Sequence, residues 1–329
     1  MGRRKNQASR RNSKGNRRLH DRQTRHDTTR HDTTRHDTTR HDTTRHDTTR
    51  FSYEICYAEP FVGAGAVFFR IVQHYPQIRK FILNDANPDL IHLYRVVQND
   101  VEALIESLEQ LNCTFIKKNG SEREDFYYRQ RDLFNAHRDL TLQRAAQLIF
   151  LNKTDYNGLY RVNRNGEFNA PFGSYAETNP LICDASTLRT ANQLLKKAVL
   201  LNGDFTEVLA RVEGHAIFYL DPPYRPLTKT ASFTSYTRSR FNDDDQRRLR
   251  DFCRTLSEAG HRWILSNSDT QDGFFENLYA GCRIRRVLAP RAINSNAKKR
   301  GRLPELLITN RPEKEKTNDF QENLLIFET

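Results

Sequence analysis

Residues 216–224 read Ala-Ile-Phe-Tyr-Leu-Asp-Pro-Pro-Tyr, and this junction between an apolar run and a proline turn decides the fold. The first five residues are typical of a buried strand, and the prolines end it because they cannot donate to a sheet ladder. The motif therefore predicts a carboxylate, a rigid turn and an aromatic ring at the carboxyl edge of a sheet. Taken alone, the same residues also fit an ordinary edge strand that stops at two prolines.

The residue types in this turn suit the activation of a planar exocyclic amine. The amine of an adenine is a weak nucleophile, because its lone pair is delocalised into the ring. Asp221 and the carbonyl of Pro222 can each accept a hydrogen bond from such an amine. Pro223 keeps the turn rigid, and Tyr224 offers a flat face on which an extruded base can stack. The turn therefore predicts a site that methylates an amine.

A second element lies upstream, where an apolar run leads into a glycine-containing turn and then a helix. Residues 59–69 read Glu-Pro-Phe-Val-Gly-Ala-Gly-Ala-Val-Phe-Phe. Gly63 and Gly65 allow the backbone to approach a ligand closely, and the first helical turn exposes N–H groups to a carboxylate or hydroxyl. A tight strand-to-helix turn needs glycine in any case, so the glycines alone do not indicate a binding site. The order of this turn and Asp221 along the chain is the more informative observation.

At these two elements the chain resembles the Dam-like (D12 class) DNA adenine-N6 methyltransferases, which transfer a methyl group from S-adenosylmethionine (AdoMet). The likeness runs from about Tyr57 to Asn310, with further matching stretches in family order at residues 84–87, 150–152, 156–163, 166–173, 202–205, 265–269 and 305–310. It implies methyl transfer to N6 of an adenine in double-stranded DNA, at a short site of the GATC kind. It also implies in-line transfer without a metal, with the catalytic roles at Asp221, Pro222, Pro223 and Tyr224.

The same resemblance implies where the cofactor binds. Asp85 is expected to bind both ribose hydroxyls, and Asp204 is expected to accept from the adenine amine of AdoMet, with Phe205 beside the ring. From the residues alone, an exposed acidic strand end for Asp85 and a helix N-cap for Asp204 stay open. The implied cofactor residues are Glu59, Pro60, Phe61, Gly63, Gly65, Asp85, Asp204 and Phe205.

DNA recognition is implied for four residues that follow a helical segment, Tyr156, Asn157, Leu159 and Arg161. An aromatic can wedge into the base stack, an amide can fill the space of a flipped adenine, and an arginine can bind guanine in a bidentate manner. The residues alone also fit a glycine-containing turn. Ser174 stands where relatives with GATC specificity carry Arg or Lys, so a relaxed or shifted specificity is expected.

The order of elements predicts an α/β fold with a Rossmann-like AdoMet-dependent methyltransferase sheet. Strands are expected at residues 55–58, 80–84, 198–201, 216–220 and 263–267, and a reversed hairpin at 283–288 and 306–310. The helical pattern between the second and third strands fits the family's inserted DNA-recognition subdomain. The expected division is a disordered tail at 1–50, a catalytic domain at 51–88 and 196–312, a recognition domain at 89–195 and a C-terminal tail at 313–329.

The N-terminal tail is built from a repeat. Residues 26–50 are five perfect copies of His-Asp-Thr-Thr-Arg, without an apolar residue to offset the entropy of ordering, so the tail is expected to be disordered. A histidine metal array is the alternative. In the family, a Phe-x-x-Trp-x-Gly-Gly-Lys segment in this position helps to hold AdoMet; here no Gly-Gly-Lys occurs and the one tryptophan is Trp263. A DNA-binding remnant with impaired cofactor binding is therefore the alternative to an enzyme.

Composition limits the remaining choices. Of the net charge of +12, residues 1–25 carry +9 and residues 51–329 only +3, so DNA binding is expected from a local groove that includes Arg161. No apolar run approaches the ~20 residues of a membrane helix, and the start lacks a signal-peptide core. The five scattered cysteines suggest reduced thiols in a cytoplasmic protein. The expected partner is double-stranded DNA, bound by a single chain; a cognate restriction endonuclease and an RNA or protein substrate stay open.

Overall fold

The computed structural model describes residues 55–163, 165–173, 179–227, 241–290 and 302–310, and only the backbone of 289, 290, 302 and 303. The predictions for the tail at 1–50, for Ser174 and for the tail at 313–329 lie outside these residues. The described strands are β1 (Ile55–Glu59), β2 (Ile78–Asp85), β3 (Ala198–Asn202), β4 (Ala216–Leu220), β5 (Arg262–Ser268), β6 (Arg283–Pro290) and β7 (Arg302–Thr309). The helices are α1 (Ala66–His74), α2 (Pro88–Asn99), α3 (Val101–Ile116), α4 (Gly120–Ala136), α5 (Leu142–Thr154), α6 (Ala185–Leu195), α7 (Asp243–Glu258) and α8 (Phe274–Leu278), with short 3-10 helices at Tyr156–Gly158 and Phe205–Arg211.

The described strands form a seven-stranded sheet in the order β3-β2-β1-β4-β5-β7-β6. β1 to β5 are parallel, and β7 runs antiparallel between β5 and β6. This order confirms the predicted α/β fold with a Rossmann-like methyltransferase sheet, including the reversed hairpin. Some strands extend beyond their predicted ends: β2 begins at Ile78 rather than Lys80, because Ile78 pairs with Ile55 of β1.

Both faces of the sheet are covered, because successive strand residues point to opposite sides. On one side, Tyr57 and Phe81 join an apolar core with α1 and the helices between β2 and β3. On the other side, Phe218 and Leu265 join a core with α7, α8 and the 3-10 helix that begins at Phe205. A ligand can therefore reach the strands only at their ends.

Between β2 and β3, the described part of the chain forms five helices, α2 to α6. α3 buries Leu104, Ile105 and Leu108 on one face, as its periodicity predicts. In α5, the polar residues Arg144 and Gln147 are buried along with the aliphatic ones. The reason is that α5 contacts α2, α3 and α4 and keeps little free surface.

A buried ion pair joins α5 to the start of α2. Arg144 is 3% exposed, and its Nε and Nη2 donate to the two carboxylate oxygens of Asp89 at 2.6 and 2.8 Å. Its Nη1 donates to the backbone carbonyls of Phe134 and His137, each at 2.5 Å. The buried charge is thus paired and hydrogen-bonded, which is the arrangement that makes burial of an ion tolerable.

Trp263 and two of the cysteines are buried in the core. Trp263 is 2% exposed in β5, its ring contacts Tyr279, and its Nε1 donates to Ser257 Oγ at 2.8 Å. It is a core residue, away from the sheet edge that carries the proline turn. The cysteines are free thiols, with Cys56 and Cys253 buried. Across the described residues, every helix is too short or too polar to cross a membrane.

Candidate active site

The carboxyl ends of β1, β2, β3 and β4 open into one cavity of about 680 Å³. It lies where the strand order reverses between β1 and β4, which is the usual place for a ligand in a sheet of this type. Its lining includes every residue predicted to bind the cofactor or to act in catalysis: Glu59, Pro60, Phe61, Gly63, Gly65, Asp85, Asp204, Phe205, Asp221, Pro222, Pro223 and Tyr224. The proline turn, the glycine turn and the acidic strand ends thus share one cleft.

The glycine turn has a backbone that other residues adopt with difficulty. Gly63 and Gly65 have φ values of 48° and 73°, both in the left-handed region. A Cβ on Gly65 would lie 3.0 Å from Tyr94 Oη, whereas a Cβ on Gly63 would meet open space. The Tyr94 hydroxyl donates to the Gly63 carbonyl at 2.7 Å, so α2 holds the turn in place. Gly65 is therefore required for both its conformation and its size, and Gly63 for its conformation.

Glu59 is the most buried acid among the described residues of the cavity, at 1% exposure. The Tyr57 hydroxyl donates to its Oε1 at 2.6 Å. Burial raises the pKa of Glu59 to about 8; the hydrogen bond from Tyr57 opposes this rise, and the charge of Asp221 adds to it. Near neutral pH the carboxyl is largely protonated, and a cationic ligand in the cavity would favour its ionised form.

Asp85 braces the glycine turn against the end of β2. Its Oδ2 accepts from Gly63 N at 3.0 Å, and its Oδ1 accepts from Asn87 N at 2.8 Å. Burial raises the pKa of Asp85, while these two backbone hydrogen bonds lower it, and burial prevails. Each carboxylate oxygen can accept more than one hydrogen bond, so the bracing leaves acceptor capacity for a ligand hydroxyl.

Asp204 caps the 3-10 helix after β3, as the helix-cap interpretation predicts. Its Oδ1 accepts from the backbone N and the hydroxyl of Thr206 at 3.1 and 2.6 Å, and its Oδ2 pairs with Arg248 Nη2 at 2.9 Å. Burial raises the pKa of Asp204, but the hydrogen bonds from Thr206 and Arg248 outweigh it and leave this pKa below its ordinary value. The neighbouring Phe205 ring lies 5.3 Å from that of Phe61. This corner of the cavity therefore joins an ionised carboxylate to aromatic faces.

Asp221 begins the proline turn directly after β4, and its carboxylate faces the cavity. Ser266 of β5 donates from Oγ to Asp221 Oδ1 at 2.7 Å. The side chain is exposed to the cavity, yet protein surrounds it closely enough that burial raises the pKa of Asp221. Hydrogen bonds from Ser266 and Tyr224 oppose this rise. The carboxylate is therefore oriented as an acceptor at the base of the cleft.

The rest of the turn is held from two sides. The Pro223 carbonyl accepts from Gln246 Nε2 of α7 at 3.4 Å. The Tyr224 hydroxyl lies 3.2 Å from Glu305 Oε2 of β7, and also hydrogen-bonds to Asp221. Contacts from α7 and from β7 therefore restrain both the Pro223 carbonyl and the Tyr224 side chain.

Several residues that support the site have no role predicted from sequence. Ser266 and Gln246 contact the proline turn directly, and Asn267 Oδ1 accepts from Arg225 N at 3.0 Å just after it. For Ser266 and Asn267 the available signal is the stretch 265–269, which matches the family and includes the carboxyl end of β5, a strand parallel to β4. The carboxyl ends of parallel neighbours meet, so this stretch could have been placed beside Asp221.

The residues predicted for DNA recognition lie in the recognition loop, residues 156–161, which follows α5. Tyr156 is 43% exposed, and Arg161 is exposed as well. A second cavity, of about 560 Å³, is lined by Gly158 of the loop and by Gly63, which also lines the first cavity. The recognition loop therefore lies near the glycine turn, at the end of the sheet that also carries the proline turn.

The recognition loop has a fixed, unusual backbone. Asn157 and Gly158 both have left-handed φ values, of 64° and 62°. Leu159 is half-buried. Arg161 donates from Nε to Asn169 Oδ1 at 2.9 Å and from Nη2 to the Asn169 carbonyl at 2.7 Å. Further donor hydrogens on Nη1 and Nη2 are left for another acceptor.

Comparison with known proteins agrees with this geometry. A family model for the D12 class N6 adenine-specific DNA methyltransferases matches residues 46–293. The Type II methyltransferase M.MjaIII of Methanocaldococcus jannaschii is 49% identical over 257 residues, which cover 77% of this chain and 88% of that protein. The DNA adenine methylases of Haemophilus influenzae and Escherichia coli K12 are 35% and 33% identical, over 77% and 78% of this chain and 83% and 87% of their own lengths.

Among solved structures, the rRNA methyltransferase aviRa of Streptomyces viridochromogenes covers 78% of this chain and 76% of its own, at 12% identity and a TM-score of 0.28. So distant a likeness carries no argument about function. The argument rests instead on the family match and the curated relatives. This chain belongs to the D12 class of N6 adenine-specific DNA methyltransferases.

Proposed function

We propose that this chain transfers a methyl group from AdoMet to N6 of an adenine in double-stranded DNA, at a short site of the GATC kind. The observation that carries the proposal is the 680 Å³ cavity, which brings the Asp-Pro-Pro-Tyr turn together with the glycine turn and the acidic strand ends. Members of the family act on adenine N6. The finer points proposed here are the methyl donor, the sequence of the site and the role of each residue.

The charge of the cavity fits a sulfonium donor. Its described lining holds five acids and one arginine: Glu59, Asp85, Asp204, Asp221, Asp245 and Arg248. Arg248 pairs with Asp204 and Asp245, which leaves Asp85 and Asp221, together with Glu59 in its ionised form, to favour a ligand that carries positive charge. The rings of Phe61 and Phe241 lie 5.3 and 6.1 Å from that of Phe205, so flat apolar surface is available for a purine. Asp85 is the candidate for the ribose hydroxyls.

In the proposed mechanism, the protein activates and aligns the target amine. Asp221 accepts one amine hydrogen and the Pro222 carbonyl accepts the other, which draws the nitrogen lone pair out of conjugation with the ring. Tyr224 stacks on the extruded base, and Pro223 keeps the turn rigid. When bound, AdoMet would supply an electrophilic methyl group and leave as the neutral thioether, and Asp221 is placed to take the proton that the methylated amine loses. Most of the rate enhancement then comes from holding acceptor and donor in line.

DNA recognition is proposed for the recognition loop. The exposed Tyr156 ring can enter the base stack, and the Asn157 amide can take the space that a flipped adenine leaves. Leu159 offers an apolar contact to a thymine methyl group. Arg161 retains donor hydrogens beyond those bound to Asn169, which suits a bidentate contact with guanine. The chain is proposed to act as a single copy, and a cognate restriction endonuclease in the same host remains a hypothesis.

Methyl transfer can be tested directly. We expect tritium from methyl-labelled AdoMet to enter DNA rather than RNA or protein, and DNA from cells that express the chain to resist endonucleases blocked by methylated GATC. Asp221→Ala is expected to abolish labelling while leaving duplex binding within a few-fold. Asp244→Ala, which removes an exposed acid of α7, is the control. Label in RNA alone would refute the substrate, and turnover by Asp221→Ala would refute its role.

Cofactor binding can be tested separately, because the family's Trp-x-Gly-Gly-Lys segment has no counterpart in the sequence. Titration calorimetry with AdoMet should give heat at micromolar ligand. Absence of heat at millimolar ligand, together with retained duplex binding, would indicate a DNA-binding remnant. The Glu59→Gln variant should bind AdoMet more weakly than wild type, since an amide cannot pair with a cation.

A further inference from the structure

Asp155 stands between α5 and the recognition loop and is completely buried. It caps the carboxyl end of α5, where its backbone N donates to the Leu151 carbonyl at 2.8 Å, and it forms an isolated β-bridge with Phe172. Its side chain has no exposed surface. A carboxyl in such a place is expensive unless its oxygens are used. Its contacts therefore indicate what the residue does.

One carboxyl oxygen of Asp155 binds the backbone of the recognition loop. Oδ1 accepts from Leu159 N at 3.0 Å, and the Gly158 N–H also donates to this carboxyl. These two N–H groups have left the helix, and the left-handed conformations of Asn157 and Gly158 turn them back toward α5. Asn152 holds the same turn from the other side, with Nδ2 donating to the Gly158 carbonyl at 2.9 Å. The turn is thus fixed by two side chains of one helix end.

The other oxygen of Asp155 is unused. Oδ2 is buried and has no hydrogen-bond partner among the described residues. Tyr127 of α4 and Arg161 of the loop are the titratable groups that face this carboxyl. Burial raises the pKa of Asp155 to about 7, and the hydrogen bonds from Leu159 and Gly158 and the charge of Arg161 oppose the rise. Because Oδ2 makes no hydrogen bond within the described part of the chain, those of this carboxyl go to the recognition loop through Oδ1.

We propose that Asp155 is a positioning residue for DNA recognition, whose buried carboxyl fixes the backbone at 157–159 and thereby sets the direction in which Leu159 and Arg161 meet a base pair. This inference rests on the proposed function of the recognition loop. The acceptor oxygen performs the role, and the negative charge does not. An asparagine keeps that acceptor, whereas an alanine loses it and frees two backbone N–H groups in a turn with two left-handed residues.

The experiment compares Asp155→Ala, Asp155→Asn and wild type on a duplex that wild type methylates, GATC first, and on duplexes with one base pair changed. For Asp155→Ala we expect a KM for DNA raised roughly ten-fold and a similar loss of discrimination between the duplexes. The kcat at saturating DNA and the Kd for AdoMet should stay within about two-fold. Asp155→Asn should restore discrimination to near the wild-type level.

Two further variants keep the test decisive if Asp155→Ala folds poorly. Asn152→Ala removes the second bond to the turn from a partly exposed position, and it should reduce discrimination in the same direction. Asp184→Ala removes the carboxylate that caps α6 through Thr187 N at 3.0 Å, outside the loop, and it should change only thermal stability. Unchanged discrimination in both loop variants, or Asp155→Asn as poor as Asp155→Ala, would overturn the inference. Wild type without methylation would instead defeat the proposed function.

Discussion

Ser266 Oγ donates a hydrogen bond to Asp221 Oδ1 over 2.7 Å, joining the ends of two parallel strands at the base of the cleft. Ser266 is fully buried, so the donor of this contact is shielded from solvent. Burial pushes the pKa of Asp221 upward, and the serine hydrogen bond opposes that change. The serine therefore orients the carboxylate and favours its ionised form, as the proposed role of Asp221 in accepting amine hydrogens requires.

Loss of this contact should be visible in the pH dependence of methyl transfer. We expect Ser266→Ala to lower kcat about ten-fold, since a hydrogen bond to a charged group contributes about 1.5–3 kcal/mol and Tyr224 retains part of the effect. The pKa of Asp221 rises further without the serine, so the acidic limb of the profile should move to higher pH. Measurement of kcat from about pH 5 to 9 checks both effects.

Ser257→Ala is the matched control for this prediction. Ser257 is an exposed serine of α7 whose Oγ accepts from Trp263 Nε1, and it lies outside the cavity. Its loss should lower thermal stability and leave the pH profile of kcat unchanged. If both alanine variants shift the profile equally, the effect belongs to general destabilisation and the role given to Ser266 is wrong.

Glu59 should make the fold less stable as pH rises. Its pKa in the folded protein is raised from an ordinary value of 4.5 to about 8, so its stabilising contribution is complete below about pH 4.5 and is lost as pH rises through 8. Between about pH 6 and 9, the free energy of unfolding should fall by on the order of 1–3 kcal/mol more for wild type than for Glu59→Gln. Urea denaturation at several pH values checks this. Asp155, whose pKa is raised to about 7, gives the same pH dependence of stability in both proteins and does not affect the difference between them.

Parallel stability curves for wild type and Glu59→Gln would contradict the assignment of the raised pKa to Glu59. Glu102→Gln serves as the control, because Glu102 is exposed and pairs with Arg189, which lowers the pKa of Glu102 instead of raising it. That variant should follow the wild-type curve above about pH 6.

The buried Arg144–Asp89 pair should matter more for stability than any exposed pair. Arg144→Leu leaves the Asp89 carboxylate without its partner at the start of α2, and we expect a loss of about 3–5 kcal/mol in the free energy of unfolding. Arg189→Leu, which breaks the exposed pair with Glu102, should cost far less, because solvent screens that pair. Urea denaturation measures both. A similar cost for the two variants would show that burial does not decide the effect.

Local signals in the sequence predict much of this fold. The apolar run at 216–220 predicts β4 with the bounds that the structure has. The shared cavity also follows from sequence, because the carboxyl ends of neighbouring parallel strands meet once their order is known. The Ser266–Asp221 and Arg144–Asp89 contacts cannot be predicted from the sequence in this way. They join residues 45 and 55 positions apart, and they depend on register and helix packing that no local pattern encodes.

Arg225, directly after the proline turn, also contacts residues that are far from it in the sequence. Its Nε and Nη2 donate to Asp243 at 2.8 and 3.1 Å, and its Nη1 donates to Asp272 Oδ2 at 2.5 Å. Its guanidinium also lies 4.2 Å from the centre of the Phe274 ring. One arginine thus links the proline turn to the start of α7 and to the segment after β5.

Arg225→Gln should therefore lower kcat about ten-fold or more, because the turn that carries Asp221 loses its anchor and the amine is less well aligned. Arg225→Lys should fall between Arg225→Gln and wild type, since an ammonium cannot make the bidentate contact with Asp243 and reach Asp272 at the same time. Arg247→Gln is the control. It removes an exposed ion pair between Arg247 and Asp244, both in α7, and should leave kcat unchanged. Steady-state rates at saturating DNA, with thermal unfolding of each variant, check the order. Equal kcat for Arg225→Gln and Arg247→Gln would mean that the network stabilises the fold without positioning the turn.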